Sequence, residues 1–270
     1  MYTNKVILIT GASSGLGRNL AINYAKHGAK IINLSRNKNK MKLVNDELNI
    51  INNKINHYYS VDVSKYNEIK KISNSLKEQN IYPDIIINNA AGNFLCPFNK
   101  LTENGWKRII DIVLNGSFNI YHIFGKELIE KKKKAVFLNI STTYSETGSA
   151  LVIPSSVAKA GVDNLIRGLT VEWSNYNIRL VGIAPGPISN SGGASKLDPY
   201  KIFKHYNNYV NPRQRMCSQD EISELAMYLT SDKADYINGE IVRIDGGEVV
   251  KNSGEFNFLT NIPFYQKLIK

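Results

Sequence analysis

The sequence predicts a single α/β domain, a doubly wound parallel sheet of about seven strands with helices on both faces. Short apolar runs alternate with longer amphipathic stretches along the chain, as in folds where helices connect parallel strands. The apolar runs are hydrophobic at almost every position, which is typical of strands buried on both faces. No linker rich in proline, glycine or serine divides the 270 residues, so one domain is expected.

The strands and helices are predicted to alternate along the chain. We place strands in the apolar runs at 5–10, 30–35, 56–61, 84–88, 134–140, 178–184 and 240–244. We place helices in the amphipathic stretches at 15–27, 38–52, 65–79, 103–131, 154–176 and 218–231. The domain is expected to occupy residues 1–258, with a substrate lid at about 185–208, because that connection is long and forms no element. Residues 259–270 would form a C-terminal tail.

Composition narrows the class of protein. Hydrophobic residues make up 43% of the chain, which indicates a globular protein, and no apolar run reaches the roughly 18–20 residues that span a bilayer. The first strand begins at Lys5, so we expect no signal or transit peptide, and the last three residues are not the peroxisomal Ser-Lys-Leu address. Cys96 and Cys217 are too few for a disulfide framework and lack metal-ligand spacing. A cytoplasmic location and no bound metal are therefore expected.

The net charge of +11 is open to three interpretations. It could serve nucleic-acid binding, or it could attract a polyanionic small molecule such as coenzyme A. The densest run, four lysines at 131–134, lies where a helix is expected to end, and cations favour helix C-termini. We favour a solvated helix end for this run and expect no nucleic-acid partner.

The loop between the first strand and the first helix predicts a dinucleotide-binding site. It reads TGASSGLG from Thr10 to Gly17. Glycines let the backbone turn tightly and approach a pyrophosphate, whose charge then rests on the helix N-terminus. A plain strand-to-helix turn would not need three glycines, so a Rossmann-type fold is indicated. The cofactor contacts expected here are Gly11, Ser13, Ser14, Gly15, Leu16 and Gly17.

The residues after the second and third strands predict which dinucleotide is bound. Sites for NAD usually carry a carboxylate after the second strand, whereas a basic residue there suits the 2′-phosphate of NADPH. Arg36 stands at this point, with Lys38 and Lys40 as additional candidates, and it indicates NADPH. A surface role for Arg36 is the alternative. Asp62 and Val63 are placed to contact the adenine, although Asp62 could instead cap the next helix.

Further segments follow the glycine loop in a fixed order. They are Asn88-Asn89-Ala90-Ala91-Gly92, Asn115 before the fifth strand, Lys159, and Pro185-Gly186. Together with the loop they resemble the short-chain dehydrogenase/reductase family over almost the whole chain. The resemblance implies a nicotinamide-dependent oxidoreductase. The further cofactor contacts that it implies are Asn89, Ala90, Lys159, Pro185, Gly186 and Ile188.

The sequence departs from that family at its catalytic tyrosine. Ser155 stands four residues before Lys159, where the family has the tyrosine of Tyr-x-x-x-Lys, and the nearest upstream tyrosine is Tyr144. Tyr144 follows a predicted strand, at the end of the sheet where α/β proteins bind ligands, although it could also be a core residue. The displacement indicates that the cofactor chemistry is kept while the substrate is not an ordinary ketone or alcohol.

A narrower resemblance accounts for the displaced tyrosine. The segments that carry it are Ala90-Ala91-Gly92-Asn93-Phe94, Tyr144-Ser145-Glu146-Thr147-Gly148-Ser149, Pro154-Ser155, Glu172-Trp173, Pro185-Gly186-Pro187-Ile188, Asp245-Gly246-Gly247-Glu248 and Ser253-Gly254-Glu255-Phe256. Over about residues 4–258 they resemble the 2,4-dienoyl-CoA reductases, most closely the mitochondrial type. The resemblance implies hydride transfer from NADPH to the δ-carbon of a dienoyl thioester, a dienolate, and a 3-enoyl-CoA product of unsaturated fatty-acid β-oxidation. It also implies a homotetramer.

The same resemblance implies the roles of the catalytic residues. Tyr144 and Asn93 would donate hydrogen bonds to the thioester oxygen, where negative charge develops. Lys159 would bond the nicotinamide ribose and hold positive charge nearby, unless it is a surface lysine. Ser155 and Asn115 would orient Lys159 or a water relay, although small-residue packing also accounts for Ser155.

Four residues are predicted to contact the acyl-CoA. Phe94 and Thr102 would line the acyl or pantetheine path, and Lys196 would meet a coenzyme A phosphate in the lid. Arg36 could contact both the 2′-phosphate of NADPH and a phosphate of coenzyme A.

Two other functions compete with this one. The first is an ordinary reductase of 3-oxoacyl or similar carbonyl substrates, which Ser155 disfavours because a serine cannot replace a phenol with a pKa of about 10 as the acid. The second is a catalytically silent nucleotide-binding or RNA-binding protein. The joint presence of Asn93, Tyr144 and Lys159 disfavours it.

Overall fold

Seven parallel strands form one sheet in the computed structural model, which describes residues 2–189 and 211–261. The strands are β1 (Val6–Thr10), β2 (Lys30–Ser35), β3 (His57–Ser60), β4 (Ile85–Asn88), β5 (Ala135–Ile140), β6 (Ile178–Pro185) and β7 (Ile241–Ile244). Every predicted strand agrees with the structure to within one residue at each end. The parallel sheet predicted from the apolar runs is therefore confirmed.

The strand order is β3-β2-β1-β4-β5-β6-β7, so the direction in which strands are added reverses between β1 and β4. In open α/β sheets a ligand binds in the crevice at the carboxyl ends of the strands where the order reverses. The glycine loop follows β1, and the segment 88–92 begins at the end of β4. The topology therefore brings the two predicted cofactor segments together at one edge of the sheet.

Helices cover both faces of the sheet, as predicted. They are α1 (Gly15–Lys26), α2 (Lys38–Asn52), α3 (Tyr66–Glu78), α4 (Glu103–Ile110), α5 (Gly116–Glu130), α6 (Tyr144–Thr147), α7 (Ile153–Trp173), α8 (Gln219–Thr230) and α9 (Glu248–Ser253). One face packs on α1, α2 and α8, and the other packs on α3, α5 and α7. In β1, Ile7 and Ile9 belong to the first core and Leu8 to the second. Such burial on both faces is why the strands are continuously apolar.

The prediction of one uninterrupted helix at 103–131 is wrong. A π-helical turn, Asp111–Asn115, separates α4 from α5, and within it Asn115 Nδ2 donates to Asp111 Oδ1 at 2.8 Å. A π turn inserts one residue into an α-helix, and the apolar spacing on either side of it is kept. The sequence pattern therefore predicts a single helix where the structure has two α-helices joined by a π turn. The turn places Gly116 against Val63, where an added Cβ would lie 2.8 Å from Val63 Cγ2.

The lysine run at 131–134 follows the last residue of α5, as expected for a solvated helix end. Lys134 pairs with Asp232 at 3.1 Å on the surface. Among the residues that the structure describes, no helix is both long enough and apolar enough to cross a membrane.

Candidate active site

The glycine loop has a backbone that only glycine accommodates easily. Gly11 has φ of +73° and donates its N–H to Leu34 O at 2.7 Å, and Gly15 has φ of +54°. A Cβ added to Gly17 would lie 2.5 Å from Gly11 O, so a side chain there would collide with the backbone of the loop. These three glycines allow the closely packed turn that a pyrophosphate site requires.

The N-terminus of α1 fits an anion. The N-cap residue, Ser14, makes no side-chain capping hydrogen bond, and the first turn of the helix contains no acidic residue. Its N–H groups and the positive end of the helix dipole are thus aimed at the crevice. Ser13 Oγ lies 2.8 Å from Ser35 Oγ, which joins the loop to the end of β2, and Leu16 is buried behind it. These residues fit the pyrophosphate of a dinucleotide.

The residues after β2 and β3 meet beside this loop. Arg36 is exposed, and its carbonyl accepts a hydrogen bond of 3.1 Å from Ser60 Oγ. Asp62 Oδ1 accepts from Ser64 N and Oγ at 3.0 and 2.8 Å, whereas the N-cap of α3 is Lys65. Burial acts to raise the pKa of Asp62, but the hydrogen bonds from Ser64 and the charge of Arg36 outweigh it and lower the pKa. Asp62 is therefore a charged turn residue beside Arg36.

Val63, next in the chain, is buried against α5, and its carbonyl accepts a 2.8 Å hydrogen bond from Asn119 Nδ2. This bond fixes the segment that follows β3 to α5.

The segment after β4 is locked to the end of β1. The N–H groups of Asn89 and Ala90 both donate to Thr10 Oγ1 at 2.9 Å, and Asn89 Nδ2 donates to Thr10 O at 2.9 Å. Asn89 Nδ2 would also lie 2.6 Å from a Cβ on Gly17. Asn89 and Ala90 thus form one wall of the glycine loop, where the sequence predicted cofactor contacts.

Three predicted catalytic side chains converge on one hydroxyl group. Asn93 Nδ2 donates to Tyr144 Oη at 3.2 Å, and Tyr144 Oη lies 3.3 Å from Ser155 Oγ. Asn93 follows β4, Tyr144 opens α6, and Ser155 lies in the first turn of α7. Asn93 is oriented by its own Oδ1, which accepts from Phe94 N at 2.9 Å. The structure therefore brings the displaced tyrosine beside the serine that occupies the family's tyrosine position.

Lys159 lies one helical turn beyond Ser155 on α7 and is 6% exposed. Its Nζ donates a hydrogen bond to Ile140 O at the end of β5. Burial lowers the pKa of Lys159 to about 8, although the neighbouring Asp163 carboxylate acts in the opposite direction. The ammonium form consequently predominates at neutral pH.

The side chains of Ser155 and Asn115 contact other partners than Lys159 in this structure. Ser155 Oγ is beside Tyr144, and the amide of Asn115 is bonded to Asp111 in the π turn. Within the described ranges no hydrogen bond joins either of them to Lys159. Their expected role of orienting Lys159 or a water relay stays a prediction.

The Pro-Gly-Pro turn is fixed between β7 and the segment before α8. Gly186 N donates to Ile244 O at 3.0 Å, and a Cβ on Gly186 would lie 3.0 Å from Asp245 Cα. The backbone of Ile188, three residues after the last residue of β6, pairs with Cys217 in a parallel bridge. The turn is thus rigid where the nicotinamide is expected. Most of the predicted lid, with Lys196, lies outside the described residues.

Phe94 and Thr102, two of the predicted acyl-CoA contacts, have defined positions. Phe94 packs on Ile109, Val113 and Ala158 at the edge of a small apolar cluster between α4 and α7. Thr102 is exposed, and its Oγ1 accepts from Gly105 N at 3.1 Å as the N-cap of α4. A contact of either with substrate stays a prediction.

The sequence reasoning missed the residues that hold Tyr144 in place. Ser156 Oγ donates to Tyr144 O at 2.8 Å, and Glu146 forms an ion pair with Arg243 of β7. Ser141 Oγ donates to the buried Asp163 carboxylate at 2.7 Å. The only sequence signal was the unusual density of small hydroxyl residues around Tyr144, which equally indicates close packing.

Comparisons with known proteins agree with this geometry. A family model described as enoyl-(acyl carrier protein) reductase matches residues 11–248. A Bacillus subtilis (strain 168) protein named "Probable 2,4-dienoyl-CoA reductase", (2E)-enoyl-CoA-producing, is 39% identical over 90% of this chain and 96% of its own length. The mouse peroxisomal 2,4-dienoyl-CoA reductase, (3E)-enoyl-CoA-producing, is 33% identical over 92% and 84%, respectively. A crystal structure of a short chain dehydrogenase from Bacillus anthracis superposes with a TM-score of 0.83 and 40% identity, covering 91% of this chain and 96% of that one.

The fold and the crevice together define an oxidoreductase that uses a nicotinamide cofactor. The chain belongs to the short-chain dehydrogenase/reductase family, and relatives named 2,4-dienoyl-CoA reductase match it over most of its length.

Proposed function

We propose that this protein uses NADPH to reduce 2,4-dienoyl-CoA thioesters to 3-enoyl-CoA in unsaturated fatty-acid β-oxidation. The observation that carries the proposal is the pairing of Asn93 Nδ2 with Tyr144 Oη at 3.2 Å, beside Ser155 in the position of the family's usual tyrosine. An amide and a phenol so close together can both donate to one oxygen atom. The names of the relatives from Bacillus subtilis and mouse support the same substrate class.

The chemistry explains why the tyrosine can come from another element. When bound, NADPH would supply the hydride for the δ-carbon, and an electron pair would then move through the conjugated system to the thioester oxygen. Tyr144 and Asn93 would donate to that oxygen, and one such donor is commonly worth about 3–4 kcal/mol. A carbonyl reductase must protonate the oxygen when hydride arrives, whereas a dienolate needs mainly hydrogen bonds to it. Buried Lys159 adds a positive charge in a region of low dielectric, where it acts strongly.

The carbon that receives the proton decides the product. Protonation of the dienolate at the α-carbon leaves the double bond between the β- and γ-carbons, which is a 3-enoyl-CoA. Protonation at the γ-carbon would give a 2-enoyl-CoA instead, the product in the name of the Bacillus subtilis relative. We favour the α-carbon because it is bonded directly to the thioester carbon, whose oxygen Tyr144 and Asn93 would hold.

The preference for NADPH rests on the charges beside the glycine loop. Arg36 follows β2 directly and is exposed, and its charge is close enough to Asp62 to lower the pKa of that carboxyl. A groove of about 260 Å³ beside Ser13 is lined in part by Lys40. Arg18 also lines it but is held by Glu47 through two hydrogen bonds of 2.8 and 2.7 Å. Arg36 and Lys40 are thus the better candidates for the 2′-phosphate.

Two further proposals concern assembly and location. The homotetramer implied by the family resemblance is supported by apolar side chains left exposed on α5 and α7, such as Phe118 and Val171. The cytoplasmic location expected from Cys96 and Cys217 is consistent with the presence of both as free thiols.

One set of assays tests the activity. The purified protein is supplied with NADPH and either 2,4-hexadienoyl-CoA or acetoacetyl-CoA, and the loss of NADPH absorbance is followed. We expect rapid oxidation with the dienoyl thioester and little with the 3-oxo thioester, and the product is then identified by NMR as the 3-enoyl or 2-enoyl isomer. Preference for acetoacetyl-CoA would establish the carbonyl reductase instead. No turnover combined with a nucleic-acid gel shift would establish the silent binding protein.

A further inference from the structure

Tyr144 is carried by an element that cannot hold itself in place. The helix α6 has only four residues, Tyr144–Thr147, and its C-cap, Gly148, has φ of +72°. A single helical turn is unstable alone, so its position depends on tertiary contacts. By contrast, Ser155 and Lys159 lie on the 21-residue helix α7. Moving the tyrosine from α7 to α6 therefore creates a need for anchors that the α7 position does not have.

The deepest anchor is Asp163, which lies one turn beyond Lys159 on α7. Its side chain is 3% exposed, and Oδ2 accepts a 2.7 Å hydrogen bond from Ser141 Oγ. Ser141 is the first residue after β5, three residues before Tyr144, and its N–H donates to Ile183 O at 2.7 Å. The other carboxylate atom, Oδ1, accepts no hydrogen bond from any residue in the described ranges. A buried carboxylate with one bond is costly, which is unexpected for a group without a function.

Lys159 and Asp163 act on adjacent residues of the same strand end. Lys159 Nζ bonds the carbonyl of Ile140, and Asp163 bonds the hydroxyl of Ser141. The two side chains are four residues apart on α7, which places them on one face of the helix. The carboxylate also opposes the loss of the proton from Lys159, which burial favours.

We propose that Asp163 is a positioning residue of the active site, which fixes the β5–α6 connection that carries Tyr144 and keeps Lys159 in its ammonium form. This proposal rests on the proposed function only for the roles of Tyr144 and Lys159. The bond to Ser141 and the proximity to Lys159 are independent of the substrate.

Other charged or titratable groups face this pair from each neighbouring element. Tyr121 faces Asp163 from α5, and burial, followed by the charge of Asp163, raises the pKa of that phenol. Tyr144 lies beyond Ser155 on the α6 side. Glu146 of α6, Arg167 of α7 and Arg243 of β7 line a small cavity together with Asp163. Asp111 of the π turn is exposed and bonded to Asn115. Asp163 is the acidic group that acts on Lys159, so its charge should set the titration of the lysine.

The Asp163→Asn substitution tests the charge of Asp163 without changing the shape of its side chain. The amide keeps the size of the side chain and an oxygen that can accept from Ser141, but it removes the negative charge. We expect the alkaline limb of kcat/KM for hexadienoyl-CoA to move about one pH unit lower, because a nearby opposite charge commonly shifts a titration by one unit or more. In unfolding by guanidinium chloride without cofactor, the pH at which stability begins to rise should move lower by a similar amount.

Ser141→Ala removes the anchor and keeps the charge. We expect kcat to fall roughly tenfold with little change in the KM for acyl-CoA and no movement of the alkaline limb, since hydrogen bonds to charged groups are stronger than those between neutral groups. Tyr121→Phe is the matched control, because Tyr121 faces Asp163 from α5 and the change removes only a buried phenol oxygen while it keeps the ring and the charge of Asp163. It should leave the pH profile unchanged.

Specific results would overturn the proposal. A folded Asp163→Asn variant with an unmoved alkaline limb would eliminate the electrostatic role. Unchanged kcat in Ser141→Ala would eliminate the anchoring role, and this second test remains decisive if Asp163→Asn does not fold. If the unmodified protein reduces no dienoyl-CoA, the proposed function fails, while the unfolding series still tests whether Asp163 sets the titration of Lys159.

Discussion

The position of a single hydroxyl group distinguishes this site from that of an ordinary carbonyl reductase. Tyr144 Oη lies 3.3 Å from Ser155 Oγ, so a phenol is delivered from α6 to the neighbourhood that a tyrosine on α7 would otherwise fill. Lys159 remains on α7, one turn away and buried. The ammonium and the phenol therefore belong to different elements, and each can be tested without removing the other.

Tyr144→Phe should cut kcat for hexadienoyl-CoA by roughly 10²–10³-fold, because the variant lacks a donor to the developing oxyanion. NADPH affinity, measured by fluorescence titration, should barely change. Ser155→Ala should reduce kcat less, since Ser155 would act only on other groups, whereas Lys159→Ala should impair both turnover and NADPH binding. Full activity in Tyr144→Phe with collapse in Ser155→Ala would show that serine is the centre of the mechanism.

Arg36→Ala should reduce the preference for NADPH over NADH. We expect the unmodified protein to favour NADPH by at least about tenfold, because a charge-assisted hydrogen bond to phosphate is worth about 1.5–3 kcal/mol. The measurement is kcat/KM for each cofactor at saturating acyl-CoA. Lys233→Ala, a change on the surface beside Asp232, is the control for net charge and should not affect the ratio. Equal use of both cofactors by the unmodified protein would contradict the assignment.

Lys159 should make stability depend on pH in the alkaline range. Burial lowers its folded pKa to about 8 from the ordinary 10.5, so between these values the unfolded chain binds more protons and stability rises with pH. Lys159→Met removes this titration. The unfolding free energy of the unmodified protein minus that of the variant should therefore increase by about 2–3 kcal/mol between about pH 8 and about pH 10.5. A pH-independent difference in guanidinium chloride unfolding would show that the lysine is not buried as described.

At the scale of elements, α5 and α7 approach each other closely where a glycine faces an aromatic ring. A Cβ on Gly125 would lie 2.2 Å from Trp173 Cη2, a distance that real atoms do not reach, so the ring or the helix must move. Gly168, on α7, has no atom within 4 Å of an added Cβ. Gly125 and Gly168 are both helical, but only Gly125 is packed against a side chain, so alanine substitutions at the two positions can be compared directly.

Gly125→Ala and Gly168→Ala should change stability in opposite directions. Alanine favours a helix by about 0.5–1 kcal/mol over glycine, so Gly168→Ala should raise the unfolding free energy by that amount. Gly125→Ala should lower it by about 1–3 kcal/mol, because the overpacked ring must shift. Thermal and denaturant unfolding would measure both. Stabilisation by Gly125→Ala would mean that Trp173 does not pack against α5 as described.

The sequence predicts the bounds of some elements well and misses others. The strands were predictable because burial on both faces imposes continuous apolar runs, as in β5, and the helix capped by Ser218 was predicted to within one residue at each end. The π turn at Asp111–Asn115 was not, because it inserts one residue without changing the neighbouring apolar spacing. The anchoring of α6 was also missed, since the bond between Ser141 and Asp163 joins residues 22 positions apart and depends on the packed fold.

At the scale of the whole molecule, an exposed aromatic cluster is the candidate contact surface for the proposed homotetramer. Phe118 stacks on His122 with ring centroids 5.2 Å apart, and Tyr66 Oη lies 3.1 Å from His122 Nδ1. Phe118 of α5 and Tyr66 of α3 are 47% and 37% exposed. Large exposed apolar groups that lie together commonly mark an interaction surface, whereas single ones do not. The cluster is therefore the place at which to disturb the proposed homotetramer.

Phe118→Glu should convert the assembly into smaller species. Four copies of a 30.3 kDa chain have a mass of about 121 kDa, which sedimentation equilibrium or light scattering can distinguish from a dimer. The substitution puts a charge into each symmetry-related contact, and a charge buried without a partner is strongly unfavourable. Ile50→Glu, which charges an isolated apolar residue on α2 that is 84% exposed, is the matched control and should leave the mass unchanged. A monomeric unmodified protein would contradict the tetramer. A tetramer that persists in Phe118→Glu would place the interface elsewhere on the surface.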